Sequence, residues 1–533
     1  MTDVWADGRV RLGVGWALVA VALLMQAALF PRQSLWADEI FSLAMATGHS
    51  LEQPADRADP AQGDFVQGDT ARTAADWRRY IQHETPAAGP GRVVRAVFLS
   101  DTNPPGYYLL LSGWTRLLGA SDWTLRIFSV VWSVACIPLI MRIAARVGPP
   151  SLGLMAAALF VFCPPACYYF AEGRMYSLLW FCTVAAIYFT IRLGESPVRL
   201  WPSVMWVLVS AAGLLVHYFF VFPWAAMVGF LMVKPGSDRR WWLVLRCVLV
   251  GALILPWYLR LPESLQAWRV TMDWQNLRPS GFGRFSAARD LLLQFLSGRT
   301  LSLWHTPHAI EFLALGAIAI AAGVTTWRLR ARVFAGPRLL IWLWLVAAWS
   351  GPLAVDAWRG TYTAGIPRYA IAGLPAACLL IAGGLAGVGA RWRMVLLATI
   401  LGAWSVSLVS IYRWRWRSGS PTREVAMAVA AKGDPAELIL VHSIPSGVLG
   451  LANYAAPTAE IASWVGQLGT RRVPDSLRSL LAGRALVRFV RIHDVGEPAP
   501  EETWLRENAV VVNESRIGPA LVLVCRPRGA ATF

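Results

Sequence analysis

The chain has 533 residues, 56% hydrophobic and 15% charged, with a formal net charge of +17. A soluble domain carries about a quarter charged residues, so composition excludes ordinary globular matter. The arginines fall at the ends of apolar runs and not along one soluble face, which excludes a nucleic-acid partner.

Apolar runs of roughly twenty residues, each enough for ~30 Å of hydrocarbon, recur along most of the sequence. The 28 tryptophans fit the two headgroup levels where indoles prefer to sit. The class expected is a polytopic α-helical membrane protein. Of the seven cysteines, all but Cys525 lie inside apolar runs, so no disulfide framework is implied. Cys163 and Cys167 flank two prolines in "CPPAC" and read as small buried residues.

Taken in order, Gly13–Phe30 is a retained span, and the basic residues before it (Arg9, Arg11) place the N-terminus in the cytoplasm. A long first outer loop follows, 31–121. Within it, "NPPGYYLLLSGWTRLLG" (Asn103–Gly119) reads as an amphipathic helix lying in the interface and not as a span. Spans then alternate between "DWTLRIFSVVWSVACIPLIMRIAARVG" and Val395–Ile411, with a second outer loop over 259–308. About eleven spans leave every cytoplasmic loop short and basic. From Ser420 composition changes. "PTREVAMAVAAKGDP" and "APEETWLREN" read as helices opened by proline, and "ELILVH", "RALVRFVRIH" and "AVVVNESRIGPALVLVC" as strands. The expected organisation is a membrane domain over 1–418 and a small α/β extracytoplasmic domain over 419–533.

Polar residues gather at one expected face. Asp38 and Glu39 follow the first span in "LWADEIFSLA", where Ile40–Ala44 resume an apolar pattern that reads as a short interfacial helix. "DTNPPGYY" supplies Asn103, Tyr107 and Tyr108, and "AEGRMYS" supplies Glu172, Arg174 and Tyr176. "VHYFF" supplies His217 and Tyr218, and "GIPRY" supplies Arg368 and Tyr369. Charge at this depth costs a few kcal/mol per residue and is a functional candidate by default. Taken singly, each has a plain reading too. Asp38 could cap a helix. Arg174 and Arg368 could snorkel, His217 could be a satisfied core histidine, and Tyr107 and Tyr108 could be belt aromatics.

"WADEIFSLA", "TNPPGYYLLL", "LRIFSVVWSVACIPLI", "YFAEGRMYSLLW", "VHYFF" and "PRYAIAGLPA" occur in that order. The ordered set resembles the membrane-embedded C-type glycosyltransferases. Within them it is similar to the bacterial branch of protein mannosyltransferases and of the aminoarabinose and galacturonic acid transferases of lipid A (families 39 and 83). The resemblance covers about 10–415 and is strongest over 34–225. It implies transfer of a sugar, with inversion, from a polyprenyl-phosphate carrier to an acceptor hydroxyl on the outer face of a bacterial inner membrane, the acceptor being a lipid, a glycan or a protein. It implies Asp38 as general base; adjacent helix residues point about 100° apart, so Glu39 is expected not to share a proton with it but to orient a partner or the acceptor. One carboxylate suffices because phosphate leaves as a stable anion, whereas a glycosidase must protonate an alkoxide. Arg174 and Arg368, and more weakly Arg95, are the cations for the donor phosphate. Asn103 stands where the family commonly has histidine, so it can bond a hydroxyl but not titrate. No cofactor is required, and a divalent cation is compatible with Asp38, Glu39 and Glu172 if the three converge. The competing class is a multispan transporter or lipid-linked-sugar flippase, against which stands the gathering of polar groups at one face.

Overall fold

The structure, a computed structural model, describes residues 8–196, 199–233, 237–267, 269, 283–298, 308–413, 420–429, 436–493 and 499–528. The chain forms two compact units. One comprises Met1–Phe30, Arg126–Leu261 and Asp273–Arg413, the other Pro31–Leu125, Pro262–Met272 and Trp414–Phe533. The sequence division at 418 put the first outer loop with the membrane part, whereas by compactness that loop belongs with the C-terminal residues.

The first unit is helical. Among the described residues eight helices are long and apolar enough to cross a membrane, from Gly8–Arg32 and Asp122–Val147 to Pro367–Ala386 and Ala390–Arg413. The pair Pro150–Phe162 and Pro164–Phe170, bent by 67°, has the length and apolarity of one more if the two count as one span. The bend explains "CPPAC". Cys163, which precedes Pro164, is held in an extended conformation (φ −67°, ψ 120°), as the steric clash of a following proline requires. Two further apolar helices, Leu200–Val216 and Tyr218–Val233, are shorter and meet at His217. Tyr176–Glu195 and Pro367–Ala386 are the most deeply buried of the long helices and form the middle of the unit.

The second unit is built on one sheet. Its strands are β1 (Arg72–Thr73), β2 (Glu437–His442), β3 (Glu460–Trp464), β4 (Leu486–Arg491), β5 (Ala509–Ile517) and β6 (Ala520–Pro527), in the order β1-β3-β2-β4-β6-β5. β2 lies parallel to both β3 and β4, and the remaining pairs are antiparallel. β2, β4, β5 and β6 were legible in the sequence; β3 and β1 were not. β1 comes from the first outer loop, and more of that loop is stitched to the same edge. Trp77 is fully buried and its indole N–H donates to the Ile461 carbonyl at 3.0 Å. The Ala74 and Ala75 N–H groups donate to Ala459 and Pro457.

The helix after the first span, Ala37–Ala46, corrects one expectation. Every residue from Glu39 to Ala46 is buried, so the segment is packed inside protein and does not lie on lipid. It contacts the helices Pro90–Ser100, Gly106–Leu118 and Pro445–Tyr454. The helix Gly106–Leu118 does have two faces. Tyr107, Tyr108, Leu111 and Thr115 are buried, and Leu110, Leu117 and Leu118 are exposed. That pattern suits an interface.

Two buried histidines predict that this second unit loses stability in acid. His49 is 1% exposed. Burial lowers its pKa to about 4, against the opposing pull of Glu84, which its Nε2 meets at 3.3 Å. Burial likewise lowers His493 to about 4. Both bind a proton in the unfolded chain near pH 6.5 that they refuse when folded, so stability present above that pH is lost as pH falls from 6.5 towards 4. His49 alone is worth about 3 kcal/mol at the acid limit. Melting of the purified chain between pH 7.5 and 4.5 is expected to show that loss, and H49Q/H493Q to flatten it. An unchanged slope would remove the histidines as its cause.

Candidate active site

The thirteen residues singled out by sequence divide between the units: Asp38, Glu39, Arg95, Asn103, Tyr107 and Tyr108 in the second, Glu172, Arg174, Tyr176, His217, Tyr218, Arg368 and Tyr369 in the first.

In the second unit the helix carrying Asp38 opens at Trp36, whose carbonyl takes the Glu39 and Ile40 N–H groups at 3.0 and 3.1 Å. The Glu39 carboxylate reaches back to accept the Trp36 N–H at 3.3 Å. Glu39 is thus the acid that closes the helix start, a reciprocal capping arrangement. Asp38, one position earlier and half-buried, is not the cap, which removes the plain reading that it competed with. The backbone just ahead is gripped from the C-terminal residues. The Leu35 N–H donates to the Tyr454 hydroxyl at 2.8 Å, and the Leu35 carbonyl accepts from Thr422 Oγ1 at 2.9 Å. Tyr454 in turn donates to Asp122 at 2.5 Å, which also receives Asn453 Nδ2 at 3.2 Å and Arg423 at 3.5 Å. Arg423 further donates to the Pro31 carbonyl at 2.7 Å. None of these four C-terminal residues carries a motif, so sequence reasoning passed over them.

Asp101 was also passed over, although "DTN" puts it two residues before Asn103. It accepts the Asn103 N–H at 3.1 Å and the Asn103 amide Nδ2 at 2.9 Å, and the Tyr108 hydroxyl donates to its other oxygen. The Asp101 and Phe98 carbonyls are held by Arg269 at 2.9 and 3.1 Å. Arg95 has a different place from the one expected. Its guanidinium is bidentate on Asp64 at 2.6 and 2.8 Å. Burial works against that carboxylate, but Arg95, the Asp59 N–H and the Ser50 hydroxyl hold it below the usual range. Arg95 is a mount for the loop, with its charge already neutralised.

In the first unit four side chains form one run of rings. Tyr176 lies 6.1 Å from His217, His217 6.3 Å from Tyr369, and the Arg368 guanidinium sits 5.6 Å from the Tyr369 ring centre. His217 Nδ1 accepts the Phe219 N–H at 3.1 Å, which leaves the ring proton on Nε2 and makes that atom a donor. Glu172 and Arg174 are buried beside this run in the turn before Tyr176, where the Arg174 N–H donates to the Glu172 carbonyl at 2.7 Å. Tyr218 faces away, its hydroxyl accepting Trp257 Nε1 at 2.9 Å. A further buried cation, Arg126, escaped the sequence reading within "LRIFSVV". It is 1% exposed and donates to the Phe30 carbonyl at 3.0 Å, at the end of the first span.

Arg368 is held still from both sides. It belongs to the short helix Pro367–Ala370, followed by a 3-10 turn, Ile371–Gly373, and then Leu374–Ala386. Pro375 has no N–H for the Ile371 carbonyl four residues back. Trp180 Nε1 takes that place at 2.7 Å, and Trp344 Nε1 donates to Ala372 at 2.8 Å. Ahead of Arg368, the fully buried Asp356 accepts Thr361 Oγ1 and the Thr363 N–H, both at 2.7 Å, Thr363 Oγ1 at 2.8 Å and the Ala364 N–H at 2.7 Å. Among the described residues, no group of three or more His, Cys, Asp or Glu is arranged to hold a metal ion.

Residues 102–259 match the family model of dolichyl-phosphate-mannose-protein mannosyltransferases. Over 96% of the chain the structure superposes on 98% of ArnT from Cupriavidus metallidurans bound to undecaprenyl phosphate, at 14% identity and a TM-score of 0.57. The fold is that of the C-type glycosyltransferases. The mannosyltransferase side of the resemblance drawn from motif order is matched by the family model over 102–259, and the structural likeness extends to the fold. The apo form of the same ArnT gives the same figures. The apo oligosaccharyltransferase of Archaeoglobus fulgidus matches 91% of the chain and 70% of its own at 12% identity, with a TM-score of 0.49. No curated protein sequence matches the chain.

Asp356→Ala leaves two backbone N–H groups and two hydroxyls without their acceptor, at a cost of about 3 kcal/mol or more. A clear fall in melting temperature and faster proteolysis after Arg359 are expected, with Asp356→Asn intermediate. Wild-type behaviour of the alanine variant would show that the loop before Arg368 is ordered by something else.

Proposed function

We propose that the chain is an inverting glycosyltransferase that takes a sugar from a polyprenyl-phosphate donor and places it on an acceptor hydroxyl at the extracytoplasmic face of a bacterial inner membrane. In this reading the N-terminus is cytoplasmic and the C-terminal domain extracytoplasmic. The observation that carries it is the Arg368 guanidinium over the Tyr369 ring, at the end of the Tyr176–His217–Tyr369 run, in a fold shared with an ArnT whose structure holds undecaprenyl phosphate.

The chemistry then follows from charge. Asp38 removes the proton from the acceptor hydroxyl as its oxygen attacks the anomeric carbon. The new C–O bond forms on the face opposite the phosphate, the old C–O bond breaks, and polyprenyl phosphate departs carrying the electron pair. Arg174 and Arg368 receive the developing phosphate charge, where fixed donors act most strongly because they need not reorganise. His217 Nε2–H, Asn103, Tyr176 and Tyr369 supply donors and stacking surface for the sugar, and Glu172 is the second acid at hand.

Membranes containing the chain, given extracted polyprenyl-phosphate sugars, test this directly. Asp38→Asn is expected to lower transfer by 10²-fold or more, as loss of a general base does, with donor binding retained. Arg368→Gln should instead weaken donor binding. Persisting transfer in Asp38→Asn would move the base elsewhere, and uptake without transfer would favour a flippase.

Tyr454→Phe removes the acceptor for the Leu35 N–H and the donor to Asp122. It is expected to reduce the rate of transfer several-fold while leaving the half-saturating donor concentration unchanged. A shift in donor affinity with the rate intact would argue against a positioning role.

A further inference from the structure

The long helix Tyr176–Glu195 carries Tyr176 at one end and Arg192 near the other. At 1.5 Å per residue these lie about 24 Å apart along the axis, close to a bilayer's hydrocarbon thickness. Around Arg192 the first unit has a groove of about 590 Å³, walled by Arg142, Arg192, Arg199, Tyr188 and Trp201 among others. The three arginines come from different places: the end of helix Asp122–Val147, the end of Tyr176–Glu195, and the residue opening Leu200–Val216.

Charge in the groove is unbalanced. Arg192 donates to the Tyr188 hydroxyl at 3.2 Å and lies 3.7 Å from Glu195, which also pairs with Arg146. Arg142 and Arg199 are exposed, and no carboxylate is among the described residues of the wall. Three guanidiniums thus line the groove, and Glu195, outside its wall, pairs with Arg192 and with Arg146. The first turn of Leu200–Val216 adds backbone N–H groups and the positive end of its dipole. Leu200 and Trp201, 78% and 67% exposed, set an apolar and indole rim of the kind found at headgroup level. Basic concavities between spans suit acidic lipid headgroups, and guanidinium suits a phosphate ester by paired hydrogen bonds.

We propose that this groove binds the phosphate of an anionic glycerophospholipid, in the leaflet opposite the Arg368 site. The phosphate is shared between Arg142 and Arg199, with Arg192 held behind it by Tyr188 and Glu195, and the chains leave past Trp201. The ligand is a resident of the membrane and not the sugar carrier, since the groove sits at the far end of the helix from Tyr176.

The test uses the full chain in neutral detergent, titrated with dioleoylphosphatidylglycerol, dioleoylphosphatidylcholine or undecaprenyl phosphate, with binding read by native mass spectrometry and by melting temperature. Saturable retention of phosphatidylglycerol over phosphatidylcholine is expected. R142Q/R199Q is expected to weaken it at least tenfold, since a charged hydrogen bond is lost at each position. Arg391→Gln removes an exposed arginine outside the groove and should leave retention unchanged. Equal weakening by Arg391→Gln would reduce the effect to overall charge and overturn the proposal. So would retention of undecaprenyl phosphate alone, or equal retention of both phospholipids. Melting without added lipid shows whether the double variant is folded. Should it not be, the single variants R142Q and R199Q are each read against Arg391→Gln in the same titration.

Discussion

A helix interrupted within a membrane leaves backbone carbonyls with no water to turn to, and the place of Arg368 depends on how those carbonyls are satisfied. Pro375 removes the helical donor of the Ile371 carbonyl, which Trp180 meets from a neighbouring span, and Trp344 holds the next carbonyl, that of Ala372. Because each indole has one N–H and a large rigid ring, the partner is fixed in angle as well as distance. Asp356 performs the complementary task on the other flank, where donors and not acceptors need a partner. An arginine mounted this way meets an anion with little entropy left to lose.

The Asp38 region applies the same principle at the second unit. Both polar groups of Leu35 are taken, one by Tyr454 and one by Thr422, and the following helix is closed by Glu39. The acidic pair in the sequence therefore divides its labour: the Glu39 carboxylate builds the helix start, and Asp38 stands half-buried on the same fixed backbone. The C-terminal residues act here less as a lid than as a mount.

Much of this was legible in advance, for identifiable reasons. Spans read well because a run of twenty apolar residues is rare outside a bilayer, and β2, β4, β5 and β6 read well from alternation and turn residues. β3, in "AEIASW", is short and mixes small and polar residues without a clear alternation, and β1 is two residues inside a loop. Side chains that work through others left no signal. Tyr454, Thr422, Asp122 and Asp356 are ordinary polar residues until the fold shows which backbone they hold. Arg95 misled because an arginine near a motif looks available, and its partner Asp64 stands 31 positions away. The burial of Ile40–Ala46 was missed because an apolar face reads alike whether it meets lipid or protein.

The origin of β1 sets a timetable. Its partner in the sheet, Ile461, follows Arg72 by 389 positions, and at the usual pace of synthesis of about 5–20 residues per second those positions take roughly 20–80 s to make. Throughout that interval Trp77 and its flanking loop have emerged without the edge they pair with, while every later span is still being inserted. The sheet that mounts Asp38 is therefore among the last parts to close. A ribosome that stalls between residues 77 and 461 leaves a chain whose first loop holds a large indole and a strand without the edge they pair with, features that expose it to aggregation.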